Sequence, residues 1–266
     1  MVLQLWLSDE PAPARDKFAA AANLQTPMPD SRTHRGPHPQ DGELFSPAAL
    51  PRLRDAVADL SWLLSRGYAL PGALQVVGNR YDLESRQRQA VTRSACTDEA
   101  MMRRRSSEVP AGLLRGATLR IDGYNVLTTV EAALGGAAVL LGRDGSLRDI
   151  AGVHGTYRRV EETLPALQCV GSYLKSIAVG RCEWYLDAPV SNSGRLKAIV
   201  ESAARDAAWD WTVHVVPNPD AVLSATSDVV ATADSVILDR CPRWFALARE
   251  VVAASAPGAR LVDLRA

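Results

Sequence analysis

Leu119-Arg120-Ile121-Asp122-Gly123-Tyr124-Asn125-Val126-Leu127 is the stretch on which the reading of this chain turns. It suits a short buried strand that ends in a carboxylate. Gly123 lets the chain turn, and Asn125 sets a second polar group beside Asp122. An acid at the carboxyl end of an open α/β sheet stands where such folds place their chemistry. The plain alternative is an Asp that caps the helix after the strand. Carboxylates at the ends of later strands would favour a shared site.

Two later strands end the same way. Cys182-Glu-Trp-Tyr-Leu-Asp187 closes on Asp187, and Val229-Val-Ala-Thr-Ala-Asp234 closes on Asp234, with Asp228 and Asp239 flanking it. Between them, residues 211–216 form a third strand that stops at Pro217-Asn218-Pro219-Asp220. Ala137 to Leu141 and Leu147 to Ile150 flank an Asp144-Gly145 turn, which predicts a hairpin. Helical stretches fall between the strands: Thr128 to Leu134, His154 to Ala178 with an interruption near Pro165, a helix through about Ala208, and Trp244 to Ala254. Strand and helix alternate, so the fold class is α/β, a mostly parallel central sheet flanked by helices over residues 117–266. Trp184, Trp209, Trp211 and Trp244 are expected in the core rather than as base-stacking platforms.

Ahead of this lies a small all-helical domain, residues 47–108, shaped like a helix-turn-helix module. Leu53, Val57, Leu60 and Leu64 share one helical face that stops at Gly67. Pro71 suits a first helical turn, and Asp82 can cap a third helix. That third helix carries Arg86, Arg88 and Arg93, whose guanidinium groups would bind nucleic-acid phosphates if they shared a free face. The bland reading is a solvated face that packs on the next domain. Residues 1–46 are rich in Pro, Ala, Asp and Arg and read as a disordered extension.

Composition removes several classes. The chain has 266 residues, 47% hydrophobic, with 30 basic and 30 acidic residues. A globally basic surface is absent, so any nucleic-acid contact must be a local patch. No apolar run is long enough to span a bilayer, and the apolar start lacks the marks of a signal peptide. Four scattered cysteines without a Cys-x-x-Cys pair suggest neither a zinc site nor a disulfide framework, and imply a cytoplasmic setting. Ser191, Asn192, Ser193 and Arg195 precede or open a helix and read as a candidate phosphate-binding segment, against simple N-capping. His154, on a polar stretch, is a candidate base or a structural hydrogen-bonder.

Ile121-Asp122-Gly-Tyr-Asn125 resembles the opening strand of the NYN branch of PIN-like nucleases, and Thr232-Ala-Asp234 looks like that family's later Thr/Ser-x-Asp strand end. From about Pro51 onward the chain also resembles a prokaryotic family that joins a helical domain to a PIN-like domain. Arg86-Gln-Arg88-Gln-Ala-Val, His154-Gly-Thr-Tyr-Arg-Arg-Val-Glu-Glu-Thr and Pro189-Val-Ser-Asn-Ser-Gly-Arg-Leu carry that likeness. The resemblance implies a metal-dependent ribonuclease. Asp122, Asp187 and Asp234 would gather Mg²⁺ or Mn²⁺, Asn125 would orient a ligand or water, and a fourth acid would come from Asp239, Asp228, Glu131 or Glu161. The partners expected are RNA and a second copy of the chain as a homodimer, with no membrane. Two alternatives stay open: a non-catalytic RNA-binding or regulatory protein, and a pocket for a phosphorylated ligand.

Overall fold

The computed structural model describes residues 34–150 and 157–265. His154 and most of the sequence read as an N-terminal extension lie outside these residues. The described part of that extension is not loose. It contains α1 (Asp41–Leu44), and Leu44 and Phe45 are buried. Asp41 is 0% exposed and paired with Arg86 at 2.5 Å. Its low apolar content concealed this role, because two buried apolar side chains and one buried ion pair are enough to dock a short segment.

Four helices follow: α2 (Leu50–Ser65), α3 (Leu70–Arg80), α4 (Ser85–Ser94) and α5 (Asp98–Ser107). Helix α2 buries Leu53, Ala56, Val57 and Leu60 along one stripe and ends at Gly67, whose φ of 80° suits a residue without Cβ. Helix α4 starts on a capping box between Glu84 and Gln87, two residues later than Asp82 would have set it. Thr97 caps α5 by accepting from the Ala100 amide at 3.1 Å.

The α/β part runs β1 (Leu119–Asp122), α6 (Gly123–Leu134), β2 (Val139–Leu141), β3 (Leu147–Asp149), α7 (Thr163–Ser176), β4 (Cys182–Asp187), α8 (Ser193–Asp206) and β5 (Trp211–Val216). It continues with α9 (Pro219–Ser224), β6 (Val229–Ala231), α10 (Ser235–Leu238), β7 (Trp244–Phe245), α11 (Leu247–Ser255) and β8 (Leu261–Asp263). Five strands form one sheet in the order β5-β4-β1-β6-β7, every pair parallel. The chain therefore starts in the middle, winds to one side through β4 and β5, then crosses to the other through β6 and β7. Helices α6, α7, α8 and α11 pack together on one face, with Trp184 and Ile121 fully buried beneath them. The short α9 and α10 share a second cluster with Tyr185, Val230 and Trp244 on the opposite face. No helix among the described residues is long and apolar enough to cross a membrane.

The remaining strands form a small sheet, β3-β2-β8, with the expected β2–β3 hairpin antiparallel and β8 parallel to β2. Alternate residues of its strands serve two cores. Val139, Leu141 and Leu147 join the main core, while Ala138, Leu140, Ile150, Val262 and Leu264 join the core of α2, α3 and α4. The helical region thus completes its core with strands from the α/β region. The described residues all lie in one compact unit.

Candidate active site at the carboxyl edge of the sheet

Strand β1 lies at the centre of the sheet, and the winding reverses between it and β6. In such sheets the crevice outside the carboxyl ends of the two strands at the reversal is where ligands bind. Asp122 ends β1 at this place. In register, Ile121 lies beside Ala231, so Asp122 is level with Thr232. The Thr232 hydroxyl donates to Asp122 Oδ2 at 2.8 Å. Asp122 occupies the N-cap position of α6 yet makes no side-chain cap bond. The plain capping alternative therefore fails for Asp122. It holds for Asp234, which accepts from the amides of Val236 at 2.8 Å and Ile237 at 3.3 Å.

Gly123 makes this arrangement possible. A Cβ there would sit 2.5 Å from Leu186 Cδ2 and 2.9 Å from the Tyr185 carbonyl oxygen, so only glycine lets α6 start directly against β4. Asn125, one turn on, accepts from the Ala233 amide at 2.8 Å. The Ala233 carbonyl in turn accepts from Arg148 Nε at 2.7 Å. Ala233 is thereby fixed from both sides, and the adjacent Asp234 with it. Asn125 is a positioning residue here, since its carbonyl oxygen is engaged by backbone.

Asp187 ends β4, two residues past the partner of Asp122 in the register. Asp220 follows β5, in the first turn of α9 beyond the Asn218 cap. Burial pushes Asp122 up to about 7, and the negative charges of Asp234, Asp220 and Asp187 add to the rise. Burial and the charges of Asp220 and Asp234 likewise raise Asp187. Burial and Asp234 raise Asp220, against a smaller opposing effect of Arg240. The four carboxylates thus share one electrostatic environment. Among the described residues none of them forms an ion pair with Lys, Arg or His within 4.0 Å.

Asp220 is the acid that sequence reasoning passed over. Its signal was present: an Asp just after Pro219 at a strand end sits in the first turn of the next helix, at the carboxyl edge. The other candidates for a fourth acid are engaged elsewhere. Asp239 meets Arg104 at 2.8 Å and Arg103 at 3.2 Å. Asp228 precedes β6, at the opposite end of that strand, and pairs with Arg120 at 3.0 Å. Glu161 pairs with His34 at 3.3 Å. Glu131 is fully buried, paired with Arg35, and accepts from Tyr157 at 2.5 Å and Thr163 at 2.7 Å.

The candidate phosphate-binding residues divide. The Ser193 and Tyr124 hydroxyls bond at 2.7 Å, and Ser193 also donates to the Val190 carbonyl at 2.6 Å and to that of Asp187. Asn192 adopts a left-handed conformation with φ 73°, which Asn tolerates well, and its amide donates to the Tyr157 carbonyl at 3.0 Å. The Ser191 carbonyl accepts from the Tyr157 amide at 3.2 Å. These contacts fasten the loop after β4 to the segment before α7. Arg195 is exposed and has no ion-pair partner among the described residues.

The three arginines of α4 turn inward. Arg86 is paired with buried Asp41. Arg88 lies against Gly78 and donates to the carbonyl of Leu83 at 2.9 Å and the side chain of Asn79 at 3.0 Å. Arg93 reaches Asp149 at 3.4 Å. Arg86 and Arg88 hold the helical region together and Arg93 ties it to β3, so their guanidinium groups do not make one free face for phosphates. The periodicity that grouped them gave no sign of the buried acid and carbonyls waiting for them.

A hard divalent cation suits this donor set in kind, because the groups are oxygens without a cationic partner. Among the described residues, no three His, Cys, Asp or Glu side chains lie close enough to ligate a single ion as they stand. Mg²⁺ usually keeps several waters and needs only one or two direct carboxylates, with others acting through water.

The class is defined by these features: a doubly wound α/β protein with four acids at the carboxyl edge beside its switch point and a helical region fused to its second sheet. The chain belongs to the family described as "Domain of unknown function (DUF5616)", whose model matches residues 112–250 and so includes all four acids. Residues 52–106 match "Protein of unknown function (DUF434)". The chain is 32% identical over 186 residues to "Uncharacterized protein MJ0935" of Methanocaldococcus jannaschii, covering 70% of this chain and 88% of the relative. No solved structure matches.

Proposed function

We propose that the chain is a metal-dependent ribonuclease of the PIN-like, NYN type that hydrolyses RNA phosphodiesters at Asp122, Asp187, Asp220 and Asp234. One observation carries the reading. Four carboxylates without a cationic partner among the described residues gather at the carboxyl edge beside the switch point, and burial, with a further rise from the charges of Asp234, Asp220 and Asp187, lifts Asp122 to about 7. A fold keeps such an unfavourable cluster most readily where a cation or a proton relieves it.

Asp122 and Asp234, from the two strands that border the crevice, would hold Mg²⁺ or Mn²⁺, with Asp187 and Asp220 acting through bound water. The ion, when bound, would acidify a water and neutralise charge developing on the phosphoryl oxygens. The chain's own contribution is positioning. Thr232 fixes one oxygen of Asp122 and leaves the other for the crevice. Asn125 and Arg148 hold Ala233, and so the backbone that presents Asp234. The proposed partner is RNA and the proposed setting is the cytoplasm. A homodimer is a further proposal, tested by light scattering on the full chain.

The test is cleavage of a panel of structured and single-stranded RNAs by pure protein with Mn²⁺ or Mg²⁺. Cleavage should require the ion and be abolished in Asp122→Asn and Asp220→Asn. RNAs left intact under every condition would overturn the reading. That result would favour a second one, an RNA-binding domain without cleavage, in line with there being no three acids placed to ligate one ion among the described residues.

A further inference from the structure

Two sequence segments are left over once the acids are assigned: the Tyr157-Arg158-Arg159 stretch and the loop that opens α8. Backbone and side-chain bonds join them, from the Tyr157 amide to Ser191 at 3.2 Å and from Asn192 to the Tyr157 carbonyl at 3.0 Å. This junction brings Arg158 and Arg159 beside the first turn of α8, which carries Arg195. All three arginines are exposed. The same loop begins at Asp187, so the group flanks the acid-lined crevice on its β4 side.

Some arginines of this molecule are paired and others, such as Arg52, form no ion pair among the described residues; these three are set apart by their place beside the loop that begins at Asp187. Arg35, Arg86, Arg104, Arg148 and Arg249 each engage a carboxylate. Arg158, Arg159 and Arg195 form no ion pair among the described residues. The acids nearest in sequence do not neutralise them, because Glu161 and Glu162 face His34 at 3.3 and 3.0 Å. A chain of zero net charge therefore sets uncompensated positive charge beside uncompensated negative charge.

We propose that Arg158, Arg159 and Arg195 form the track that holds the phosphate backbone of single-stranded RNA next to the crevice. The proposal rests on the ribonuclease reading for its choice of ligand. Guanidinium groups match phosphate oxygens in geometry and stay charged at every working pH. A track of three suits a few nucleotides of a flexible single strand. The acids beside it repel phosphate, so the backbone is drawn to the rim.

The experiment is fluorescence anisotropy with labelled oligouridine and oligoadenosine, the full chain, EDTA throughout and a series of salt concentrations. Replacing all three arginines by Gln should lower the slope of log affinity against log salt by about 2, at about 0.7 per lost contact on a single strand. Affinity should fall by a similar factor for both oligonucleotides. Each single Gln substitution should lower the slope by about 0.7, which keeps the test valid should the triple variant misfold. Arg52→Gln, an exposed arginine on α2, should change nothing. An unchanged slope in the variants, or no binding of either oligonucleotide by the wild type, overturns the track. Binding lost in the variants, from a wild type that never cleaves, overturns the ribonuclease reading and leaves the track standing.

Discussion

Replacing Asp122 by Asn should stabilise the protein in alkaline solution and leave it nearly unchanged in acid. Asp122 is 8% exposed and titrates near 7 instead of the ordinary 3.8. Between those values the folded chain holds a proton that the unfolded chain has released. Wild-type stability therefore falls as pH rises through that window and is lowest above 7. At about 1.4 kcal/mol per pH unit, the full penalty is up to about 4 kcal/mol. Asn carries no such penalty, and its carbonyl oxygen can still accept the Thr232 hydroxyl. Urea unfolding of both proteins in EDTA, at about pH 4 and about pH 8.5, measures the effect. The variant should gain little at the lower pH and up to about 4 kcal/mol at the higher. Equal midpoints at the higher pH, or a gain that does not depend on pH, would refute the account of the cluster. Adding Mn²⁺ at the higher pH should raise the wild-type midpoint more than that of the variant, because the variant lacks the buried charge of Asp122 while Asp187, Asp220 and Asp234 remain.

Other outcomes follow from the same contacts. Asp144→Ala leaves the buried Arg104 and Arg148 without their shared acid, so chemical denaturation should show a loss of about 3–5 kcal/mol. Burial opposes the charge of Asp144, yet these arginines hold its carboxyl well below the usual range. Its stabilising effect is full above the ordinary value and is lost as pH falls through the depressed one, which acid titration of the unfolding midpoint can follow. Gly123→Ala forces a Cβ onto Leu186 and the Tyr185 carbonyl and should cost about 1–3 kcal/mol by the same measurement. Asn125→Ala strips the Ala233 amide of its acceptor, with an expected loss of about 1–3 kcal/mol. It should also reduce any Mn²⁺-dependent cleavage more than it weakens RNA binding.

The parallel sheet was legible because local signals sufficed. Leu119 to Asp122 and Cys182 to Asp187 are apolar runs bounded by turn residues, and both are strands at those positions. The Asp144-Gly145 turn likewise marked a hairpin that is present. Signals failed where a cap, the position within a helix or a tertiary contact decides the outcome. Val236 to Leu238 are apolar enough for a strand, but Asp234 caps them into a helical turn. Pro165 falls in the first turn of α7, where its missing N–H costs nothing, so it causes no break in that helix. Trp244 and Phe245 pair with β6 before the last helix begins. Residues 261–263 form β8, and nothing local in the sequence tells that it joins β2 instead of the main sheet. The α4 arginines are the sharpest case at the site. Their charge is visible in sequence, whereas Asp41 and Asn79, which claim two of them, are separated from them by 45 and 9 residues.

The shared second core has a consequence for the order in which the molecule can be made. Helices α2, α3 and α4 emerge early in synthesis, but Val262 and Leu264, which close their core, come after every other described element. Contacts between segments so far apart in sequence are the slow ones to form. The helices must therefore wait with part of their apolar face exposed while the α/β part is translated, a state open to aggregation and to chaperones. Arg54 donating to the Asp263 carbonyl at 2.9 Å marks the moment at which that wait ends.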